Sequence, residues 1–442
     1  MINPTKFQTK TFSQHQKGQQ IASILAAAID AVEPGEAIKR FVHHDENTLS
    51  IAGQLYDLNN YENIYLMAFG KASMPMSLAL MEILGERFHQ GWVVPKHASA
   101  FSDSRLIIIP GSHPLPDETS LHAGEMLLEA AESFTDKDLV FCLISGGGSA
   151  LITAPYVGVS LADMREMTRQ LLACGARIDE INALRRHLDR IKGGGLAKQI
   201  SPATVVSLIL SDVVNSPLEA IASGPTAPDP STMQEVWQIL EKYNLTGKIP
   251  LNIVSHFKKN IETPKPGDAL FSSVANILVG SNEIAAQAAS EMAQQHGFET
   301  LMLGNDWQGE AREVAKTLTQ KFTTSTNTPL CMIAGGETTV TLKGSGKGGR
   351  NLELALAAVP FLDGLPDVML VSLATDGEDG PTDAAGAVVT GETANKAKEL
   401  DLNPEDYLKN NDSYHFFEEL GDLLKPGPTG TNVNDLTFMF RF

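Results

Sequence analysis

The feature that most constrains this chain is a repeated pattern: a short apolar run, a glycine-rich or polar turn, and then helical periodicity. The apolar runs are rich in Val, Ile and Leu and lack strict alternation, which is typical of strands buried on both faces. They lie at 63–69, 105–110, 139–145, 205–211, 275–280, 300–304, 330–335 and 368–374. Strands that alternate with helices predict parallel sheets covered by helices, and therefore an α/β fold.

Chain length and one proline- and glycine-rich segment predict two domains. The 442 residues exceed what a single ordinary core accommodates. Residues 245–268 contain LTGKIP and ETPKPGD, in which prolines and glycines interrupt polar residues as in a domain link. We therefore expect one domain at 1–255 and a second at 265–442. The sequence leaves open whether either terminus crosses to the other domain.

Charge and composition exclude several classes of partner. The 53 acidic and 34 basic residues give a formal net charge of −19, which argues against nucleic acid or an anionic membrane as a main partner. No run of about 18 apolar residues predicts a membrane span. The N-terminal residues are polar and lack the apolar core of a signal peptide. Cys142, Cys174 and Cys331 form no zinc-type cluster. These features predict a cytoplasmic protein with reduced thiols.

The turns that follow the first apolar runs are candidate anion-binding sites, because ligands bind beyond the carboxyl ends of parallel strands. Lys71 follows the run at 63–69 at the start of a helical pattern, where a bound anion would offset the unfavourable helix dipole. The turn after 139–145 exposes backbone N–H groups that suit phosphate or carboxylate. Its residues are Ser145, Gly146, Gly147, Gly148 and Ser149.

Three further side chains in this half have a structural alternative beside the functional one. His113 lies in a rigid loop with Pro114 and either contacts substrate or serves the turn. Arg185 belongs to a basic cluster that either binds an anion or forms a solvated helix face. Asp212 directly follows the run at 205–211, where a carboxylate suits a metal or a hydroxyl group.

The second half contains a basic glycine loop at 343–351, preceded by a predicted short strand at 339–342. Lys347, Gly348, Gly349 and Arg350 combine a flexible backbone with positive charge, which suits phosphate. The loop is not a Walker A motif, because no Ser or Thr follows Lys347. It does match GxGxxG, a weak signal by itself.

A carboxylate-rich turn follows the run at 368–374 and contains Asp376 and Asp379. Such a turn suits Mg²⁺, which takes one or two carboxylates together with phosphate oxygens and water. An ordinary turn with solvated acids is the alternative. Basic glycine loops together with a carboxylate loop predict phosphoryl transfer, whose barrier falls through positioning and charge neutralisation.

These motifs, in this order, resemble the class II glycerate kinases, whose C-terminal half is called the MOFRL domain. The resemblance runs from about residue 21 to residue 436. It rests on FGKAS (69–73), HPLPDETSLHAG (113–124), SGGGSALI (145–152), NALRRHLDRIKGGGLA (182–197), IASGPTAPDP (221–230), GGETTVTLKGSGKGGRN (335–351), ATDGEDGPTDAAGA (374–387) and NDSYHFFEELGDLL with GPTGTNVNDL (411–436).

The resemblance implies both architecture and chemistry. It implies a larger Rossmann-like N-terminal domain, a smaller C-terminal MOFRL domain and an active site in the cleft between them. It further implies transfer of the ATP γ-phosphate to D-glycerate, giving 2-phospho-D-glycerate. Lys71 and Arg350 match residues regarded as essential in the family, and we expect them to hold the phosphoryl group or the glycerate carboxylate. Asp212 is expected to orient the attacking hydroxyl, and Asp376 with Asp379 to hold Mg²⁺.

The sequence departs from the family pattern at Asn215-Ser216, where Gly-Asp is usual, and at Leu352 and Glu378. Two alternatives to a kinase stay open. One is an NAD(P)H-dependent hydroxypyruvate reductase, since family members have been labelled so and GxGxxG is present. The other is a non-catalytic protein that binds a nucleotide or a sugar acid. The oligomeric state is not fixed by these patterns, and a homodimer is our working expectation.

Overall fold

The computed structural model describes residues 2–325 and 327–442, which form two compact units. The central unit is Ala37–Val279, and the discontinuous unit joins the residues up to Glu36 with Gly280–Phe442. This division differs from the predicted domains, 1–255 and 265–442, which remain a prediction. The segment predicted to link them, 245–268, lies within the central unit.

The central unit is built around a six-stranded sheet of order β6-β5-β4-β7-β8-β9, preceded by a three-stranded antiparallel sheet of order β1-β2-β3. The strands of the small sheet are β1 (Val42–Asp45), β2 (Thr48–Ile51) and β3 (Gln54–Asp57). The strands of the large sheet are β4 (Asn63–Phe69), β5 (Phe88–Val94), β6 (Leu106–Ile108), β7 (Asp138–Ile144), β8 (Thr204–Leu210) and β9 (Val274–Gly280). In the large sheet β4 pairs in parallel with β5 and β7, β5 with β6, and β7 with β8, which confirms the predicted parallel arrangement.

Helices cover this sheet and continue into a helical layer. All seven residues of β7, the central apolar run, are buried, because its sheet neighbours and helices cover it on both faces. The helices from the first to the eleventh are α1 (Lys10–Gln14), α2 (Gly18–Asp30), α3 (Pro34–Phe41), α4 (Ser73–Leu84), α5 (Glu118–Ala131), α6 (Gly148–Leu151), α7 (Leu161–Ala173), α8 (Ile178–Arg186), α9 (Gly195–Ile200), α10 (Met233–Lys242) and α11 (Leu251–Phe257), of which α1 and α2 belong to the discontinuous unit. Helix α11 lies inside the predicted link. Its Ile253 and Phe257 are fully buried in a cluster with residues of α7 and α10.

The discontinuous unit has a mixed sheet of order β10-β12-β16-β13-β14-β15, with β11 paired to β12. Its strands are β10 (Glu299–Met302), β11 (Trp307–Glu310), β12 (Leu330–Thr339), β13 (Val368–Ala374), β14 (Gly386–Thr390), β15 (Leu423–Leu424) and β16 (Asp435–Arg441). Its remaining helices are α12 (Asn282–Gln295), α13 (Ala311–Thr324), α14 (Arg350–Leu362), α15 (Thr393–Glu399), α16 (Pro404–Lys409) and α17 (Ser413–Leu420). No helix in the described residues is long and apolar enough to cross a membrane.

Two expectations for this unit are wrong. The sheet is not wholly parallel, because β16 lies between β12 and β13 and is antiparallel to both. Strand β16 is not followed by a helical pattern, so the βα alternation did not reveal it. The predicted short strand at 339–342 is also wrong: β12 ends at Thr339, and the following residues form the start of the glycine loop.

A buried ion pair ties the central unit together. The Lys192 ammonium lies 2.9 Å from Asp189 Oδ2 and donates to the Ile152 carbonyl, and both charged side chains are almost completely buried. Asp189 also accepts from the Thr153 hydroxyl at 2.6 Å. The pair therefore anchors the chain just after the Ser145–Ser149 turn to the glycine run that follows Lys192.

Replacing Asp189 with asparagine is expected to lower the free energy of unfolding by about 3–5 kcal/mol, because it leaves the Lys192 charge buried without its counter-ion. Denaturant unfolding measures the change. The matched control is Asp179→Asn, which breaks an exposed pair with Arg177 and should cost at most about 1 kcal/mol. Equal losses in the two variants would contradict the prediction.

Candidate functional site

The turns that follow β4, β6 and β7 meet around Gly147 in the central unit. A Cβ built on Gly147 would lie 3.0 Å from Cδ2 of His113 and 3.5 Å from Cγ of Lys71, so both side chains flank this glycine. Gly147 has φ +83°, in the left-handed region that glycine adopts without strain. Neither the Gly147 nor the Ser149 backbone N–H finds an acceptor within the described chain. The arrangement leaves N–H donors beside a lysine, as an anion site requires.

The glycines of this turn permit two further close approaches. Gly70 has φ +123°, and a Cβ there would lie 2.2 Å from Ser145 Oγ. That hydroxyl accepts from the Ala72 N–H at 3.0 Å, which fixes the start of α4 beside the turn. A Cβ on Gly146 would lie 2.0 Å from Asp212 Oδ2, so the carboxylate packs directly on the turn. The structure thus brings together Lys71, His113, the Ser145–Ser149 turn and Asp212.

The Lys71 ammonium has no carboxylate partner among residues 2–325 and 327–442. Burial lowers the pKa of His113, and the charges of Lys71 and Lys96 lower it further. Lys96 follows β5, a strand that the apolar-run pattern missed, and its neighbour Pro95 accepts from the Gly111 N–H at 3.0 Å. Sequence reasoning therefore overlooked a lysine at the strand end adjacent to Lys71. His113 lies where the charges of Lys71 and Lys96 both act, and such positive charge suits binding of an anion.

The chain after Asp212 adopts left-handed backbone at several residues other than glycine. Ala222 and Ser223 have φ of +49° and +64°, and Ser223 Oγ lies 2.8 Å from Ser149 Oγ. Such backbone costs on the order of 1 kcal/mol for each residue and gathers at functional sites. Asn215, where the family usually has glycine, also takes φ +61°, a conformation that asparagine tolerates. This departure therefore keeps the backbone conformation that glycine permits.

Arg185 is not joined to these turns by any hydrogen bond or ion pair in the described part of the chain. It lies in the last turn of α8, where burial lowers its pKa and the nearby Asp189 opposes that shift. Its proximity to Asp189 places it near the buried ion pair rather than in contact with Gly147. The predicted role of Arg185 in binding substrate stays a prediction.

The glycine loop of the discontinuous unit is held by the segment Asn410–Asp412. The Asn411 side-chain oxygen accepts from the N–H groups of Lys343 and Gly344 at 2.8 and 3.0 Å. The N–H groups of Ser345 and Lys347 donate to the side chains of Asn410 and Asp412, and the Gly346 N–H donates to the Asn410 backbone carbonyl. These N–H groups are therefore occupied, while no acceptor for the Gly348 and Gly349 N–H groups occurs in the described chain.

Asn411 connects this loop to a buried charge. Its amide nitrogen donates to Glu353 Oε1 at 3.2 Å, and Arg312 Nε donates to the same oxygen at 2.6 Å. Glu353 is almost wholly buried on α14. The loop is thus positioned by a non-local hydrogen-bond network, in which Asn411 is the central residue.

Arg350 begins α14 and is held by two acids. Its Nε and Nη2 donate to the Asp435 carboxylate at 2.6 and 3.2 Å, and its Nη1 donates to Glu337 at 2.6 Å. A guanidinium has five N–H groups, so two remain for a ligand. Arg350 therefore joins the start of β16 to the start of α14 and also offers donors.

The geometry argues against Asp379 as a magnesium ligand. Its buried carboxylate accepts from the Leu352 N–H at 2.8 Å and from the Asn351 N–H at 3.1 Å, so it caps the start of α14. A Cβ on Gly349 would lie 2.3 Å from its carboxyl carbon, which requires glycine there. Asp376 is half-buried, and its Oδ1 accepts from the Glu378 N–H at 3.2 Å. Within residues 2–325 and 327–442, no group of three or more metal-ligating side chains is present.

Two buried acids beside Arg350 are expected to make stability depend on pH. Burial raises the pKa of Asp379 to about 6 and that of Asp435 to about 7, against the attraction of Arg350. Between about pH 4 and these values the folded protein holds more protons than the unfolded one, so the free energy of unfolding falls as pH rises. Asp435→Asn removes one titrating group and should reduce this fall between pH 4.5 and 7.5 by roughly 3 kcal/mol. Denaturant unfolding at several pH values tests this, and an unchanged slope in the variant would contradict it.

Comparisons with known proteins agree with the fold and identify the family. A family model described as "Domain of unknown function (DUF4147)" matches residues 20–258, and one described as "MOFRL family" matches residues 330–435. A D-glycerate 2-kinase of Thermotoga maritima is 40% identical over an alignment of 423 residues that covers 93% of this chain and 95% of that protein. The crystal structure of a T. maritima glycerate kinase has a TM-score of 0.85 and 38% identity, covering 95% of this chain and 98% of that one. A relative from Agrobacterium vitis is named "Putative hydroxypyruvate reductase". It is 37% identical, covering 83% of this chain and 84% of its own length.

Glycine-rich turns with lysines at the strand ends of an α/β sheet are typical of enzymes that bind small phosphates or carboxylates. The matches extend over nearly the whole chain and include both family models. The chain belongs to the class II glycerate kinases, the family whose C-terminal half is the MOFRL domain. The resemblance predicted from the sequence motifs is confirmed.

Proposed function

We propose that this chain is a cytoplasmic kinase that transfers the γ-phosphoryl group of ATP to D-glycerate and produces 2-phospho-D-glycerate. The observation that carries the proposal is the 40% identity to a D-glycerate 2-kinase over 95% of that protein. The site supports it, because Lys71 and Lys347 are cations without a carboxylate partner in the described residues and each lies beside unoccupied glycine N–H groups. Such donors neutralise charge on phosphate and carboxylate oxygens.

Each group has a role in the proposed reaction. The Lys71 ammonium and the Gly147 N–H bind anionic oxygens of the reacting groups, and His113 forms a hydrogen bond there. Asp212 accepts a hydrogen bond from the attacking hydroxyl and so orients it. The Gly348 and Gly349 N–H groups and the Lys347 ammonium bind nucleotide phosphate. Arg350 retains two N–H groups for the transferring phosphoryl group.

Magnesium is the metal proposed for this reaction. A bound Mg²⁺ would supply positive charge that offsets the negative charge developing on the phosphate oxygens. Asp376 is the residue proposed to hold it, while Asp379 fixes the start of α14. The homodimer stays a prediction, which light scattering after size-exclusion chromatography would test.

A coupled assay tests the function. The protein is incubated with D-glycerate, ATP and Mg²⁺, and the product is passed to enolase with no phosphoglycerate mutase present. Signal without the mutase is expected, because enolase consumes 2-phosphoglycerate. Signal only with added mutase would mean that the 3-hydroxyl attacks. If no ADP formed, the proposed kinase function would be wrong.

The hydroxypyruvate reductase name of one relative supports a second candidate. A dinucleotide at the GxGxxG loop needs free backbone N–H groups for its pyrophosphate. In this chain the N–H groups of residues 343–347 already donate to Asn410–Asp412, which disfavours that function. Oxidation of NADH or NADPH by hydroxypyruvate with the purified protein would favour the reductase, and none is expected.

A further inference from the structure

Lys347 makes three contacts with the start of α17, through its N–H, its carbonyl and its ammonium group. Its backbone N–H donates to Asp412 Oδ1 at 2.9 Å, and its carbonyl accepts from the Tyr414 N–H at 2.9 Å. Its ammonium lies 3.7 Å from the centre of the Tyr414 ring. Backbone and side chain of the lysine are therefore both set by the same short segment.

The Tyr414 ring is itself immobilised. Only 5% of the residue is exposed, and its hydroxyl donates to Asp383 Oδ1 at 2.7 Å. Lys425 donates to the same hydroxyl at 2.8 Å and pairs with Asp383 at 3.2 Å. The ring is thus held at its face by packing and at its edge by two charged side chains.

An aromatic face holds a lysine differently from a carboxylate. A carboxylate neutralises the ammonium and competes with an incoming phosphate, whereas the π face attracts the charge and leaves its N–H donors available. Lysine has a flexible four-carbon stem, so an unsupported ammonium would lose conformational entropy on binding. The described chain gives Lys347 no carboxylate partner, which leaves the ring as its support.

We propose that Tyr414 is a positioning residue that holds the Lys347 ammonium ready for the phosphates of ATP. The inference deepens the proposed kinase function and rests on it. Tyr414 acts through Lys347 and touches no reacting atom. No motif in the sequence analysis assigned this tyrosine a role.

Substitutions that separate ring from hydroxyl test the proposal. Tyr414→Leu removes the π face and should raise the KM for ATP about tenfold, with kcat and the KM for D-glycerate changed less than about twofold. Tyr414→Phe keeps the ring and should leave the KM for ATP near that of the unmodified protein. If the leucine variant does not fold, Tyr414→Met replaces it, because methionine fills much of the volume without a π face. Thermal unfolding confirms that the compared variants are folded.

A double-mutant cycle with Lys347→Met identifies the partner of the ring. If Tyr414 acts through Lys347, adding Tyr414→Leu to Lys347→Met should not raise the KM for ATP further. The proposal would be overturned if Tyr414→Leu raised the KM for ATP equally with and without Lys347→Met. It would also be overturned if Tyr414→Phe raised the KM for ATP as much as Tyr414→Leu does, or if only the KM for D-glycerate rose. If the unmodified protein phosphorylates no glycerate, the proposed kinase function is wrong. That result is distinct from the outcomes above, which concern only the role of Tyr414.

Discussion

Lys71→Met is expected to lower kcat for D-glycerate phosphorylation by about 10²–10³-fold while leaving the fold intact. The loss follows from removing a charged donor where negative charge is stabilised, for which such factors are usual. The fold should survive because the Lys71 ammonium makes no ion pair in the described chain and its side chain is exposed. Steady-state kinetics and denaturant unfolding measure the two effects separately.

The matched control is Lys198→Met, which removes an exposed lysine from α9 in the same unit. Both variants lose one charge, so a general change of electrostatic attraction would affect them equally. The control should keep turnover within about twofold and, like Lys71→Met, shift the unfolding free energy by less than about 0.5 kcal/mol. Near-normal turnover in Lys71→Met would contradict the assignment of this lysine to the active site.

Arg350→Met is expected to damage both stability and turnover, in contrast to Lys71→Met. Its removal leaves the buried Asp435 carboxylate without the guanidinium that contacts both of its oxygens, which should cost about 3–5 kcal/mol. Turnover should fall by at least about 10²-fold, because the two remaining N–H donors for the phosphoryl group are lost. Denaturant unfolding and the coupled kinase assay record these effects.

The double variant Arg350→Met with Asp435→Asn separates the two roles of Arg350. Replacing the carboxylate removes the unpaired buried charge, so most of the lost stability should return. Turnover should stay low, because the donors are still missing. If stability and turnover recovered together, Arg350 would have only a structural role, and its proposed contact with the phosphoryl group would be wrong.

The local part of the fold and site could be predicted from the sequence because it depends on neighbouring residues. The apolar runs at 63–69 and 368–374 coincide with β4 and β13, since strands buried on both faces need continuous apolar residues. The turns after such strands lie at one edge of the central sheet, which is why Lys71, the Ser145–Ser149 turn and Asp212 were predicted together. The family resemblance added the expected reaction and the roles of individual residues.

Interactions between distant parts of the chain could not be predicted in this way. Nothing near Lys343 indicates that its N–H is bound by Asn411, and nothing near Asp379 indicates that it caps α14. Asp379 is predicted as a metal ligand because it lies in a carboxylate-rich turn after a strand. Aspartates in such turns occur at metal sites and also at helix N-caps, so the local sequence does not distinguish the two roles. Lys96 was missed because FHQGWVV, which forms β5, contains polar residues and a glycine that break the apolar pattern.

The central position of β16 has a consequence for how the protein is synthesised. Residues 435–441 fill the space between β12 and β13, so the sheet of the discontinuous unit cannot close until these residues have left the ribosome. The central unit, Ala37–Val279, has all of its residues available much earlier and can fold during translation, as domains generally do. A stop codon before residue 435 would therefore release a chain with one folded unit and one open sheet, whose unpaired strand edges favour aggregation.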